Sequence, residues 1–292
     1  MSKSRVSSTR HSSRESSYVG DVIRFAGLSL GGGKADKACL ALIEYYPKHH
    51  KVFLAKIFER IKSDEDVSAD IKIHEILEQY HGMIHTIALD SPWRLPNCLQ
   101  CLQKCPGYES CEEPHIRWMW DYTREKNESK KPKKLFTPYT QRAVELHLAS
   151  QLEEPFHIPN AMGANAAPML ARAAFILRRL ELPAIEVYPR LSVWRIGNSL
   201  HVLKSQLRSH KHAATGEDSR RGILKELSEH NVAFVYDQDR RLMVENNHAF
   251  EAFICAITAF LEYMGQTEPR PRNFPKSEDW ISFPKEKISW KF

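Results

Sequence analysis

The chain has 292 residues, enough to bury a sizeable core as one large domain or two small ones, and a single domain is expected. Lysine and arginine number 42 against 36 acidic residues, a formal net charge of +6 that is modest for this size. No run of about 18 apolar residues offers a bilayer span, and the first residues lack the apolar core of a secretory signal, so a cytosolic location without a membrane partner is expected.

Residues 1–17 hold Ser, Arg and His with almost nothing apolar. Such a segment cannot offset the entropy of ordering, which predicts a disordered basic tail before a single domain over 18–292. Val22 to Leu28 is apolar and β-branched enough for a strand, Gly31, Gly32 and Gly33 mark a turn, and Ala38 to Tyr45 reads as the neighbouring strand. With Val52 to Phe58 these form an antiparallel meander. Ile71, Ile73, Ile76 and Leu77 recur at helical spacing, and the mostly apolar run Met83 to Leu89 after Gly82 predicts a strand that the helix returns in parallel.

After Pro92 the periodicity stops, and 93–136 reads as an insertion built around cysteines. Helical character returns over Pro138 to Leu152 and Ala164 to Leu182. Ala184 to Tyr188 is a short strand closed by Pro189, and helices follow at Ser219 to Glu229 and Asn247 to Met264. The last helix, with Phe250, Phe253, Ile254, Ile257 and Leu261 beside Ala252, Ala256 and Ala259, has the composition of one packed closely on a neighbour. The order predicts an α/β fold, a mixed five-stranded sheet with flanking helices.

Cys98-x2-Cys101-x3-Cys105-x5-Cys111 is the most specific local pattern. Four thiolates can close a tetrahedral Zn²⁺ site with no open position, and they can equally ligate an iron–sulfur cluster, although the spacing differs from ferredoxin runs. His115 is a substitute ligand in this reading, with a surface histidine as the favoured alternative. Cys39 and Cys255 stand alone in apolar stretches and are expected to be buried as small apolar residues. Trp93, Arg94, Arg117, Trp118 and Trp120 around the insertion fit either a stacking surface for single-stranded nucleic acid or a small satellite core.

Asp90 at a strand end, Glu186 within a strand and Glu251 on the last helix are costly at such positions unless compensated, and shared divalent cations would compensate all three. The alternative for each is a turn cap, a salt bridge and a solvent-facing side chain respectively. Arg142 and Asn165 fall where helices begin and expose anion-binding N–H groups, while ordinary capping explains Asn165 and Thr137 as well. Lys130, Lys131, Lys133 and Lys134 form a cluster that attracts polyanions, with Lys133 and Lys134 as candidate substrate contacts. A phosphate-cradling loop at Gly27 and Gly32 fails on spacing, because Gly33 stands where lysine is required.

Taken in order, Phe25-Ala26-Gly27-Leu28-Ser29-Leu30-Gly31, Ala88-Leu89-Asp90-Ser91-Pro92, Ile185-Glu186-Val187-Tyr188-Pro189, Arg220-Arg221-Gly222-Ile223-Leu224 and Glu251-Ala252-Phe253-Ile254-Cys255-Ala256 resemble domain of unknown function 429, a family of predicted nucleases with a ribonuclease-H-like fold. The resemblance implies that Asp90, Glu186 and Glu251 hold Mg²⁺ or Mn²⁺ and act on nucleic acid. It also places the family's first-strand acid on Ser29, a weak neutral ligand. Asp36 beyond the glycine turn is a candidate substitute, though nothing in the sequence requires it. The expected function is therefore a metal-dependent nuclease, with a catalytically inactive nucleic-acid- or protein-binding module as the alternative; a cluster-based redox function depends on the cysteines alone.

Overall fold

The computed structural model describes residues 22–31, 37–127, 136–151 and 158–292. The basic tail, Gly32 and Gly33, Asp36 and Lys130, Lys131, Lys133 and Lys134 lie outside them. Three strands, β1 (Ile23–Leu30), β2 (Ala38–Tyr46) and β3 (Lys51–Ile61), form the expected antiparallel meander. Helix α1 (Ala69–Glu78) begins at Ser68, whose side chain accepts from the N–H of Ile71, and returns the chain to β4 (Ile84–Leu89), parallel to β1. Strand β5 (Ala184–Val187) lies parallel to β4.

The sheet has six strands in the order β3-β2-β1-β4-β5-β6, which corrects the expected five. Strand β6 (Ile281–Ser282) comes from near the end of the sequence, parallel to β5. Two residues are too few to display a period-two alternation, so no pattern announced it.

Helices α2 (Asn97–Gln100), α3 (Pro114–Asn127), α4 (Ala143–Gln151) and α5 (Ala166–Leu177) precede β5. Between β5 and β6 come α6 (Pro189–Ser199), α7 (Lys204–Ser209), α8 (Gly216–Glu229), α9 (Asp237–Glu245) and α10 (Asn247–Tyr263). Helix α3 falls inside the stretch expected to be an irregular insertion, and α6, α7 and α9 were not anticipated. Pro189 does close β5, but it also sits in the first turn of α6, where its missing N–H has no helical partner to lose.

The two faces of the sheet are covered separately. Leu28, Leu40 and Ile87 pack with Ile73 and Leu77 of α1 and with Ala173 and Ile176 of α5. On the other face Phe25, Ala41 and Ile43 meet Phe253, Ala256 and Phe260 of α10, with Trp194 and Leu224 behind. A Cβ built on Gly27 would stand 2.0 Å from the carbonyl oxygen of Ala252 and 2.4 Å from the nitrogen of Ala256. The backbone of α10 therefore rests on bare β1 backbone, which explains why every residue from Ala249 to Leu261 is buried.

A third cluster joins Met119, Phe136, Val144, Leu148, Phe274 and Phe283, with Trp118 and Trp120 packed against it. Trp118 stacks on Tyr122 and Trp120 on Tyr108, so the α3 tryptophans build a satellite core and not an open stacking platform. Cys39 and Cys255 are buried, as expected. Among the described residues no helix is long and apolar enough to cross a membrane.

Candidate metal centre

Parallel strands β1, β4 and β5 end at one edge of the sheet, where Leu28 pairs with Leu89 and Leu89 with Glu186. Asp90, the first residue beyond β4, is fixed from both oxygens: the Leu30 N–H donates to Oδ1 (2.9 Å) and the Ser29 hydroxyl to Oδ2 (2.5 Å). The start of α10 meets the same edge. Asn246 caps that helix by accepting from the N–H groups of His248 (3.0 Å) and Ala249 (3.4 Å), and the i, i+3 spacing then puts His248 and Glu251 on one face.

One ligand atom from each of Asp90, His248 and Glu251 lies within 4.8 Å of the others, the only group of three or more such atoms among the described residues. They line a cavity of about 210 Å³ with Arg142, Glu186 and Tyr188. Two carboxylates and an imidazole suit a divalent cation, and the nitrogen donor favours Mn²⁺ over Mg²⁺.

Ser29 is fully buried and holds the site from behind. Its oxygen is 3.0 Å from His248 Nδ1, and its single proton points to Asp90. The hydroxyl must then accept from Nδ1–H, which leaves the Nε2 lone pair available for a ligand. Burial keeps the His248 ring neutral by holding its pKa below the usual value, with Glu251 opposing.

Burial, and then the nearby charge of Glu251, push the Asp90 carboxyl up to about 7 against the hydrogen bonds from Ser29 and Leu30. Glu251 is 2 % exposed, with Oε1 paired to Lys211 Nζ at 2.5 Å and Oε2 accepting from Asn247 Nδ2 at 2.9 Å. Burial pulls the Lys211 ammonium down, but Glu251 and, further off, Asp90 carry it above its ordinary value. A single ammonium thus faces two carboxylates that repel each other, the arrangement that a doubly charged ion relieves.

Of the sequence-predicted acids, Asp90 and Glu251 come together and Glu186 does not join them. Both Glu186 oxygens accept from Arg142, at 2.8 Å and 2.5 Å, and the Nε of Arg142 donates to Glu145 at 2.8 Å. Arg142, 3 % exposed, is thereby held by two buried carboxylates, which already balance its charge. Asn165 stands exposed at the start of α5, makes no side-chain cap and lies outside the cavity lining.

The four cysteines are unpaired, and Cys98 and Cys111 are half-buried while Cys101 and Cys105 are exposed. Burial first, and then the charges of Cys105, Cys111 and Cys101, push the Cys98 thiol up. His115 is buried at the start of α3 with no hydrogen-bond partner for Nε2.

Sequence reasoning missed His248 and Lys211. The spacing His248-x2-Glu251 was a usable signal for the first, since three residues separate helical side chains that share a face. Nothing local marks Lys211. Arg220, from a motif with no assigned role, organises both: it donates to the carbonyls of His210 (2.5 Å) and Val244 (2.8 Å and 2.5 Å), one residue before Lys211 and two before the Asn246 cap.

No curated protein and no solved structure matches the chain. A family model does match, described as "Protein of unknown function (DUF429)". The matched segment contains Asp90, Glu186, His248 and Glu251, and it begins after β1, so the first-strand motif with Ser29 lies outside it. With residues 58–276 matched, most of its length, the chain belongs to the DUF429 family.

Proposed function

We propose that the protein is a metal-dependent phosphodiester hydrolase acting on nucleic acid, built on a ribonuclease-H-like scaffold. The observation that carries the reading is the convergence of Asp90, His248 and Glu251 within 4.8 Å at a cavity wall. A meander followed by the parallel strands β4, β5 and the two-residue β6 supports the scaffold. When bound, Mn²⁺ or Mg²⁺ supplies Lewis acidity toward a phosphoryl oxygen and lowers the pKa of a water molecule.

The protein's own groups do the rest. Asp90 and Glu251 hold the cation's charge, Ser29 fixes the His248 tautomer, and Lys211 neutralises Glu251 when no cation is bound. Water adds to phosphorus, the P–O ester bond breaks, and a phosphate monoester and an alcohol leave. His248 also lines a second cleft of about 460 Å³ with Lys37, Arg60 and Lys62, balanced in part by Glu59 and Glu245. That cleft gives a strand a route past the centre.

Cleavage of labelled DNA, RNA and hybrid with Mn²⁺, comparing wild type with Asp90→Asn, tests the reading. Loss of activity in the variant is expected; equal activity in both, or none in either, sinks it. A second reading, a binding module without catalysis, is favoured by Ser29 in place of an acid and by the cations on Glu186 and Glu251. Lys211→Met separates the two: Mn²⁺ affinity rises if Lys211 stands in the cation's place, and no Mn²⁺ binds to either form if the protein has no metal centre.

A further inference from the structure

The stretch from Asn97 to Pro114 differs from the rest of the described chain in that none of its residues is buried. Its two leucines, Leu99 and Leu102, are 48 % and 100 % exposed. Regular structure is confined to α2 and one 3-10 turn, Tyr108–Ser110. The ends are tethered, since Asn97 Nδ2 donates to Glu278 at 2.6 Å and Trp120 Nε1 donates to the Tyr108 carbonyl at 3.0 Å. In the segment the Gln103 side chain donates to Glu113 at 2.8 Å and that of Gln100 to the Leu95 carbonyl at 2.8 Å. Ordering a residue's backbone costs about 1–2 kcal/mol, and here no apolar burial offsets it.

All four clustered cysteines lie in this stretch, and all four are unpaired. They fall within 14 residues of one another. Cys98 rides on the turn of α2, Gly107 takes a φ of 90° that a side chain rarely adopts, and the 3-10 turn then delivers Cys111. We propose that Cys98, Cys101, Cys105 and Cys111 bind one Zn²⁺ as thiolates, and that this ion takes the place of a hydrophobic core in the segment.

Four thiolates fill a tetrahedral site, so the ion is structural and takes no part in reaction chemistry. Cys98-x2-Cys101 and Cys101-x3-Cys105 both have the short spacing of zinc-ligand pairs, and the run does not match ferredoxin spacing. Zn–S bonds of about 2.3 Å bring sulfurs to about 3.8 Å from one another. No three of these sulfurs are within 4.8 Å here, so binding must draw the loop inward. No buried side chain opposes that movement. The thiols release their protons as the ion binds, and no oxidant or reductant is involved.

The test is elemental analysis and visible absorption of the full chain purified without chelator, alongside Cys98→Ser/Cys105→Ser and Asp90→Asn. Wild type and Asp90→Asn are expected to carry about one zinc per chain and to be colourless, with zinc falling to background in the double variant. That variant should remain folded, with a lowered thermal unfolding midpoint, and become open to protease between Asn97 and Pro114. Zinc-free wild type that takes up none on titration overturns the proposal, as does zinc retained by the double variant or lost in Asp90→Asn. Iron with sulfide and visible absorption overturns it in favour of a cluster.

Discussion

The edge of the sheet at α10 and the segment before α3 both gather metal-ligating side chains, by opposite means. At the sheet edge the ligands sit on core elements: Asp90 follows a buried strand, and His248 and Glu251 belong to a helix buried from Ala249 to Leu261. In the cysteine segment nothing is buried, and the ligands lie on loop and single turns. One arrangement exists without an ion and carries the repulsion of two carboxylates that share a single ammonium. The other has little to hold it until an ion arrives. A chelator should therefore act on the second as a structural reagent and on the first as an inhibitor.

The comparison can be broken most forcefully beside the cavity. Arg142→Met leaves Glu145 and Glu186 buried without their cation, which should destabilise the chain by about 3–5 kcal/mol in urea unfolding. A change under about 1 kcal/mol would mean that Arg142 does not neutralise the two buried carboxylates. Gly27→Ala comes next. Its Cβ meets helix backbone, which cannot rotate away, and a loss of about 1–3 kcal/mol with weakened Mn²⁺ binding is expected from the same unfolding series and a calorimetric titration.

The last effect is on pH dependence. A carboxyl whose folded pKa is about 7 instead of the ordinary 3.8 binds its proton more tightly in the folded chain. Stability without metal should then fall as pH rises from about 4 to about 7, with the penalty complete above that window. Asp90→Asn removes this component, so its metal-free midpoint should be flatter across the window and no lower than wild type at pH 8. A parallel pH profile for the two proteins would remove the electrostatic strain assigned to Asp90.

The sheet was legible because β1 to β5 are apolar runs bounded by turn residues, and α10 because its large and small apolar residues keep helical period. Helix α9 was not, since Asp237-Gln238-Asp239-Arg240-Arg241 resembles a loop until Met243 and Val244 find the core. In the site, Asp90 and Glu251 were readable from their cost in apolar surroundings. The pairing of Glu186 with Arg142, 44 residues away, depends on tertiary placement that no local spacing encodes. The same holds for Lys211 and Glu251.

The contact between Gly27 and α10 gives that helix a fulcrum. With its backbone seated on β1 at Ala252 and Ala256, it cannot slide to absorb a change in volume at its far end, where Phe260 packs on Phe25 and Phe292. Glu251 directly precedes this seat and His248 lies one turn before it, so the depth at which α10 rests on Gly27 sets the height of both side chains above β1.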